Sequence, residues 1–362
     1  MKVFLPANTG QLEEKKEWLQ SNICKKLSRK GVKFGFEIKG AIGAQGVKTN
    51  LPFGIHLPYC FVNSIRRLDS RKLAGLLICE IENLNPKPDY IVLHGMELGN
   101  DKDLPSKEKR YVLRFGADEY ERAFKNTVDV VRELIAFFRD HSVKVAIENT
   151  PLTDMDQPYE NILQGKNTPP VLETHLRMRI GSLSKDLLAL ARETNCEIVH
   201  DLEHSAFALD FMCRCGSYSD LKTAEVPCEL TVREKSLAEK CGIIIREGFA
   251  PSATFFPGII EEEVEALRAK IYHITGSCQC GKWHELCNGK VAVHSPIIAD
   301  DKNLARMMKF IKRIQPDEDL LFVLENDIPA SKHPEMWTAR SPNAQKESLE
   351  IFCQMLLDIW YK

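Results

Sequence analysis

Six apolar runs along the chain close on, or within a residue or two of, an imidazole or a carboxylate. FGIHLP carries His56, YIVLHG His94, VKVAIEN Glu148, EIVHDLEH Asp201 and His204, KIYHITG His273, and LLFVLEN Glu325. A lone histidine or glutamate at such a position reads as a solvated end. Several together read differently. Side-by-side carboxylates and imidazoles are costly to bury unless a cation neutralises the former and uses the lone pairs of the latter. A mixed nitrogen and oxygen donor set suits Zn, Mn or Fe better than Ca. The chemistry implied is that of a divalent-metal enzyme.

The elements that must bring these residues together are strands. Eight segments have strand length and composition: 2–5, 32–38, 53–58, 90–95, 143–149, 197–203, 270–275 and 320–326. Longer stretches of helical period lie between them. Phe124, Val128, Val131, Ile135 and Phe138 recur at three- and four-residue steps, as do Leu349, Phe352, Leu356 and Ile359 behind an expected N-cap at Ser341 and Pro342. Strands alternating with helices imply parallel pairing, and eight such units predict a closed (β/α)8 TIM barrel, an α/β fold. The expected organisation is one domain over 1–362, with insertions after three strands at about 150–182, 205–261 and 275–301. All three would leave the C-terminal ends of strands, the face where such barrels hold their sites. Strand period also sorts neighbours: if Asp201 faces the barrel interior, Val199 does too, while His200 faces the helices as a structural residue.

Composition sets limits. The 362 residues are 44% hydrophobic and 28% charged, enough for a large core, and a formal charge of -2 gives no general attraction for a polyanion. No apolar run is long enough to span a bilayer, and Met1 to Pro6 followed by charged Glu13 to Glu17 is unlike a secretory signal. The expectation is a cytoplasmic protein with no membrane partner, whose twelve cysteines are thiols or metal ligands rather than disulfides. Cys79 and Cys353, on apparent helix faces, read as small core hydrophobes.

A second pattern concerns cysteine. Cys213-Arg-Cys215-Gly216 and Cys278-Gln-Cys280-Gly281 repeat one CxCG motif in two insertions that would follow neighbouring strands. Four thiolates there could hold a structural zinc that clamps the insertions. The spacing is tighter than the CxxC of zinc ribbons, so free thiols are the competing reading. No Walker loop, dinucleotide fingerprint or serine elbow is present.

GIHLPY, IVLHG, VAIEN, HDLEHSA and IYHITGS follow, in order, the pattern of the xylose isomerase-like TIM barrels. That superfamily includes sugar isomerases and epimerases and the apurinic endonucleases of the endonuclease IV type. The resemblance runs from about Gly54 to Glu325 and implies a core metal site of Glu148, Asp201, His273 and Glu325. In the endonuclease branch, His56 and His94 would join Glu148 on a second ion, and His204 would serve a third. That third ion also takes an Asp-x-His pair, for which Lys282-Trp283-His284 supplies His284 but no carboxylate. Two functions lead, and a redox or otherwise specialised member whose substrate neither branch predicts stays open as a third. A phosphodiester hydrolase would use two or more zinc ions, with abasic-site DNA as substrate, whereas a sugar or sugar phosphate would be the substrate of the isomerase branch. A sugar isomerase or epimerase would use one Mn, Co or Zn ion, with Glu148 and Glu325 as the catalytic pair that moves a proton.

Overall fold

In the computed structural model of the protein, the described residues are 1–39, 47, 49–57, 84–96, 117–150, 180–181, 184–205, 260–276, 296–325 and 344–362, with short pieces at 74–75, 78–79, 81–82, 224–226 and 243–245. The strands are β1 (Lys2–Ala7), β2 (Lys33–Lys39), β3 (Phe53–His56), β4 (Tyr90–His94), β5 (Lys144–Glu148), β6 (Glu197–Asp201), β7 (Ala224–Val226), β8 (Ile243–Ile245), β9 (Ile271–Ile274) and β10 (Leu321–Leu324). β7 and β8 pair with each other as a separate two-stranded sheet. The other eight form a closed, all-parallel barrel in the order β1-β2-β3-β4-β5-β6-β9-β10, and β10 returns to pair with β1. This is the (β/α)8 architecture expected from the alternation of strand and helix.

The helices are α1 (Leu12–Trp18), α2 (Asn22–Ser28), α3 (Ala117–Phe138), α4 (Ser184–Thr194), α5 (Ile260–Leu267), α6 (Lys302–Ile314) and α7 (Ala344–Trp360). The apolar stripe of α3 behaves as its period requires: Val128, Val131 and Phe138 are buried, and Phe124 and Ile135 pack against them half-buried. On α7, Leu349, Phe352 and Leu356 are buried, and Ile359 joins them at the edge. The N-cap expected at Ser341 and Pro342 lies outside the described residues, as do most of the three insertions. Cys353 is a core residue, its sulfur 3.8 Å from that of Cys24 on α2. Cys79, expected to be buried on the same grounds, is exposed. A helix has an outer face as well, and one small apolar residue does not say which face it occupies. Among the described residues no helix is long and apolar enough to cross a membrane.

Two apolar clusters fill the molecule. The larger lies between barrel and helices; the smaller is inside the barrel and consists of Phe4, Tyr90, Val92, Ala146, Val199, Ile271, Leu321 and Val323. Because strand side chains alternate with a period of two, the residue two positions further along each strand also faces inward. Those residues are His94 after Val92, Glu148 after Ala146, Asp201 after Val199, His273 after Ile271 and Glu325 after Val323. An apolar floor is thus topped by a polar layer at the C-terminal end.

The floor is closely fitted. A Cβ on Gly54 would lie 2.2 Å from Cζ of Tyr90, whose buried ring stacks on Phe4 at 6.0 Å. Gly54→Ala is therefore expected to destabilise by about 1–3 kcal/mol through overpacking. A urea denaturation midpoint equal to wild type would show that the ring shifts freely.

Candidate metal centre

The polar layer converges on Glu148. Its Oε2 lies 3.0 Å from Nε2 of His56 and 2.9 Å from Nε2 of His94. Its Oε1 lies 3.2 Å from Nδ1 of His273 and 3.4 Å from Nδ1 of His204. The carboxylate therefore presents one oxygen to each of two sets of residues. Glu325 Oε1 stands 3.4 Å from Nδ1 of His273 and 3.6 Å from Nδ1 of His56. Asp201 Oδ1 accepts the backbone N–H of His204 at 2.8 Å. Its Oδ2 is buried without a hydrogen-bond partner, 3.8 Å from both His273 Nδ1 and His204 Nε2.

Local structure explains these placements. Asn149, immediately after β5, ties that strand end to the end of β6. Its Oδ1 accepts the N–H of Asp201 at 2.6 Å, its Nδ2 donates to the Asp201 carbonyl at 3.0 Å, and its own carbonyl accepts Nδ1–H of His204 at 2.7 Å. That last bond fixes His204 with its lone pair on Nε2. Gly95 follows His94 because any Cβ there would fall 1.6 Å from the carbonyl oxygen of Ile180. His200, one residue before Asp201, points the other way: its Nε2 pairs with the Ser205 hydroxyl at 2.9 Å and its ring lies against Tyr272.

Among the described residues, three groups have donor atoms within 4.8 Å of one another: His56, His94 and Glu148; Glu148, Asp201, His273 and Glu325; and Glu37, His56, His273 and Glu325. Of the residues expected from sequence, His56, His94, Glu148, Asp201, His273 and Glu325 come together. His204 adjoins Asp201 but belongs to none of the three groups. His284, Cys213, Cys215, Cys278 and Cys280 lie outside the described residues. Glu37, on β2, was not anticipated. Its signal was parity: in KFGFEIK, Phe34, Phe36 and Ile38 pack outward, so Gly35 and Glu37 must face the barrel interior.

Burial opposes charge on all of these groups, and their neighbours decide the outcome. Burial of Glu148 is overcome by His273, His56 and His94, which hold its carboxyl well below the usual range. Burial of His56 is outweighed by Glu148 and Glu37, and the ring is raised to about 9. His273 is likewise raised well above its ordinary value, burial being overcome by Glu37, Glu325 and Glu148. For Asp201, burial and the adjacent Glu325 and Glu148 carboxylates act together and push the carboxyl well up. His204 is lowered, chiefly by burial, which keeps it neutral. The cluster therefore holds protons where its carboxylates call for positive charge. Divalent cations fit that demand, the mixed donor set, and the unpartnered Oδ2 of Asp201.

Metal binding at pH 7 is accordingly expected to release protons, because coordination requires neutral imidazole and ionised carboxylate. The sign for His56 follows from its rise from 6.5 to about 9. In the metal-free protein its contribution to stability is complete below pH 6.5 and is lost as pH climbs through about 9, while metal affinity grows over the same window. Titration calorimetry with zinc in two buffers of different ionisation enthalpy measures the release; a buffer-independent enthalpy would contradict it.

Neither a protein-family model nor a curated protein sequence matches the chain. Solved structures do, 18 chains in number. A D-tagatose 3-epimerase-like protein is 12% identical, with 99% of this chain and 98% of that one covered and a TM-score of 0.48. A Thermus thermophilus protein soaked with ZnCl2 is 14% identical, with 99% and 98% covered and a TM-score of 0.45. Endonuclease IV from Thermus thermophilus is 14% identical, with 99% of each chain covered and a TM-score of 0.38. At these identities the likeness is one of fold alone.

Proposed function

We propose that the protein is a zinc-dependent phosphodiester hydrolase, a single (β/α)8 domain with a dinuclear site at its C-terminal mouth. The observation that supports this reading is the division of Glu148, one oxygen toward His56 and His94 and the other toward His273. A one-metal isomerase has no need of a carboxylate that faces two ligand sets. In this reading His56, His94 and Glu148 hold one ion, and Glu148, Asp201, His273 and Glu325 hold the other. A third ion through His204 and His284 belongs to the same proposal.

Ions held by these residues would supply Lewis acidity to a phosphodiester and would lower the cost of ionising water near neutral pH. The chain's own residues do the rest. Glu148 fixes the spacing of the two positions, Glu325 places its charge beside His273 and His56, and Asn149 keeps Asp201 in register with the end of β5.

The test is elemental analysis of the purified protein and of a Cys213→Ser/Cys215→Ser variant, followed by incision of abasic-site DNA with and without chelator. Two or more zinc ions retained by the variant, with chelator-sensitive incision, support the proposal. One ion per chain and turnover of a ketose would replace it with the isomerase reading, in which Glu148 and Glu325 exchange the proton. Metal lost in the variant would instead be assigned to the CxCG cysteines.

A further inference from the structure

Glu37 sits in the same layer, but its contacts differ in kind from those of the other carboxylates. It is fully buried. Its Oε1 accepts Nδ1–H of His56 at 3.0 Å, and its Oε2 accepts Nε2–H of His273 at 3.2 Å and the hydroxyl of Tyr90 at 2.7 Å. Both rings turn their remaining nitrogen to the ligand sets. Nε2 of His56 faces Glu148 Oε2 at 3.0 Å and His94 Nε2 at 3.4 Å. Nδ1 of His273 faces Glu148 Oε1 at 3.2 Å, Glu325 at 3.4 Å and Asp201 at 3.8 Å.

Glu37 could in principle bind an ion itself, since it forms a group with His56, His273 and Glu325. Two considerations weigh against that role. A neutral imidazole has one lone pair, so an ion beside Glu37 would compete for the lone pairs that His56 and His273 give to the other two positions. Glu37 Oε2 is also already engaged by the Tyr90 hydroxyl, a donor buried beneath it. An ionised carboxylate that only accepts is suited to three converging donors.

We propose that Glu37 is a positioning residue common to both metal positions: one carboxylate holds His56 in its Nδ1–H form and His273 in its Nε2–H form, and so aims one lone pair at each ion. This inference rests on the dinuclear reading above. A carboxylate behind a ligating histidine orients the ring and raises its basicity. Here a single carboxylate does so for two rings from strands on opposite sides of it. A change at Glu37 should therefore weaken both ions together.

Two measurements test this. In zinc-loaded wild type, long-range proton–nitrogen NMR spectra should show His56 protonated at Nδ1 and His273 at Nε2; the reverse tautomer on either ring overturns the proposal without any variant. In Glu37→Gln, the amide keeps one acceptor oxygen and turns a donor toward the other contacts. Zinc affinity is then expected to fall about ten- to a hundredfold at both positions in competition with a chromophoric chelator. Tyr90→Phe, which leaves both histidine bonds in place, should lose less. If wild type holds two ions and Glu37→Gln binds both with unchanged affinity, or weakens only one, the shared role fails and the dinuclear site stands. If wild type holds a single ion, the dinuclear reading fails and takes this proposal with it.

Discussion

In the proposed dinuclear hydrolase, Glu148→Gln is expected to eliminate hydrolysis and to empty both metal positions while the barrel stays folded. Removing a carboxylate that merely supports a metal-binding ring costs about 10–100-fold in metal affinity or activity. Glu148 faces both ligand sets directly, so its loss should exceed the upper end of that range. The glutamine would also place an amide N–H₂ where His56 and His94 now meet an oxygen at 3.0 and 2.9 Å. The barrel should stay folded because the apolar floor beneath the site is untouched, although the metal-free variant should melt below wild type, since the amide withdraws the negative charge that pairs with His273, His56 and His94. Elemental analysis, circular dichroism and an incision assay on the same preparation check all three points. A folded variant with wild-type activity would place the chemistry elsewhere.

The second large effect is a division of labour between the two sides of Glu148. Among the described residues, His94 belongs to the first ligand group and not the second, and Asp201 to the second and not the first. His94→Ala and Asp201→Asn should each lower the metal content by one ion per chain, and from different positions. The two variants should part company once metal is removed. Metal-free Asp201→Asn is expected to melt above metal-free wild type, because burial and the Glu325 and Glu148 charges already press against the Asp201 carboxylate. The amide would also supply a donor to the lone pair on Nε2 of neutral His204, 3.8 Å from the present Oδ2. With metal added the order should reverse, a stability cost accepted for the sake of a functional site. Scanning calorimetry with and without chelator measures both; a metal-free Asp201→Asn protein less stable than wild type would refute the argument.

Much of this was legible in the sequence for a specific reason. A strand of a parallel barrel is apolar nearly throughout, so a histidine or glutamate at its C-terminal end stands out against the run before it. That contrast located His56, His94, Glu148, Asp201, His273 and Glu325, and the two-residue period separated Asp201 from His200. Glu37 escaped because it lies inside β2 rather than at its end, between Phe36 and Ile38, where one charged residue reads as the solvated side of an alternating strand. Closed barrels have no solvated inner side, so parity and not position was the informative property. The placing of Glu148 between two ligand sets was implied by the family resemblance alone; spacing and period could not give it, since it depends on distances between strands far apart in the chain. The glycine at position 54 gave no hint that the ring of Tyr90 would occupy its place.

The way the barrel closes has a bearing on when the site comes into being. Glu37 lies in β2 and Glu325 directly follows β10, the two strands that flank β1, and β10 completes the ring only by pairing with β1, hundreds of positions earlier in the chain. Contacts of such separation form late, because the intervening chain must first be ordered. An open intermediate already carries both ligand sets on contiguous strands, β3 to β5 and β5 to β10, and lacks the approach of Glu37 on β2 to His273 on β9. The bond from His273 to Glu37 should therefore be the part of the site that forms last, with the final joining of the first and last strands, so that an intermediate which takes up zinc before that step holds it more weakly than the native protein does.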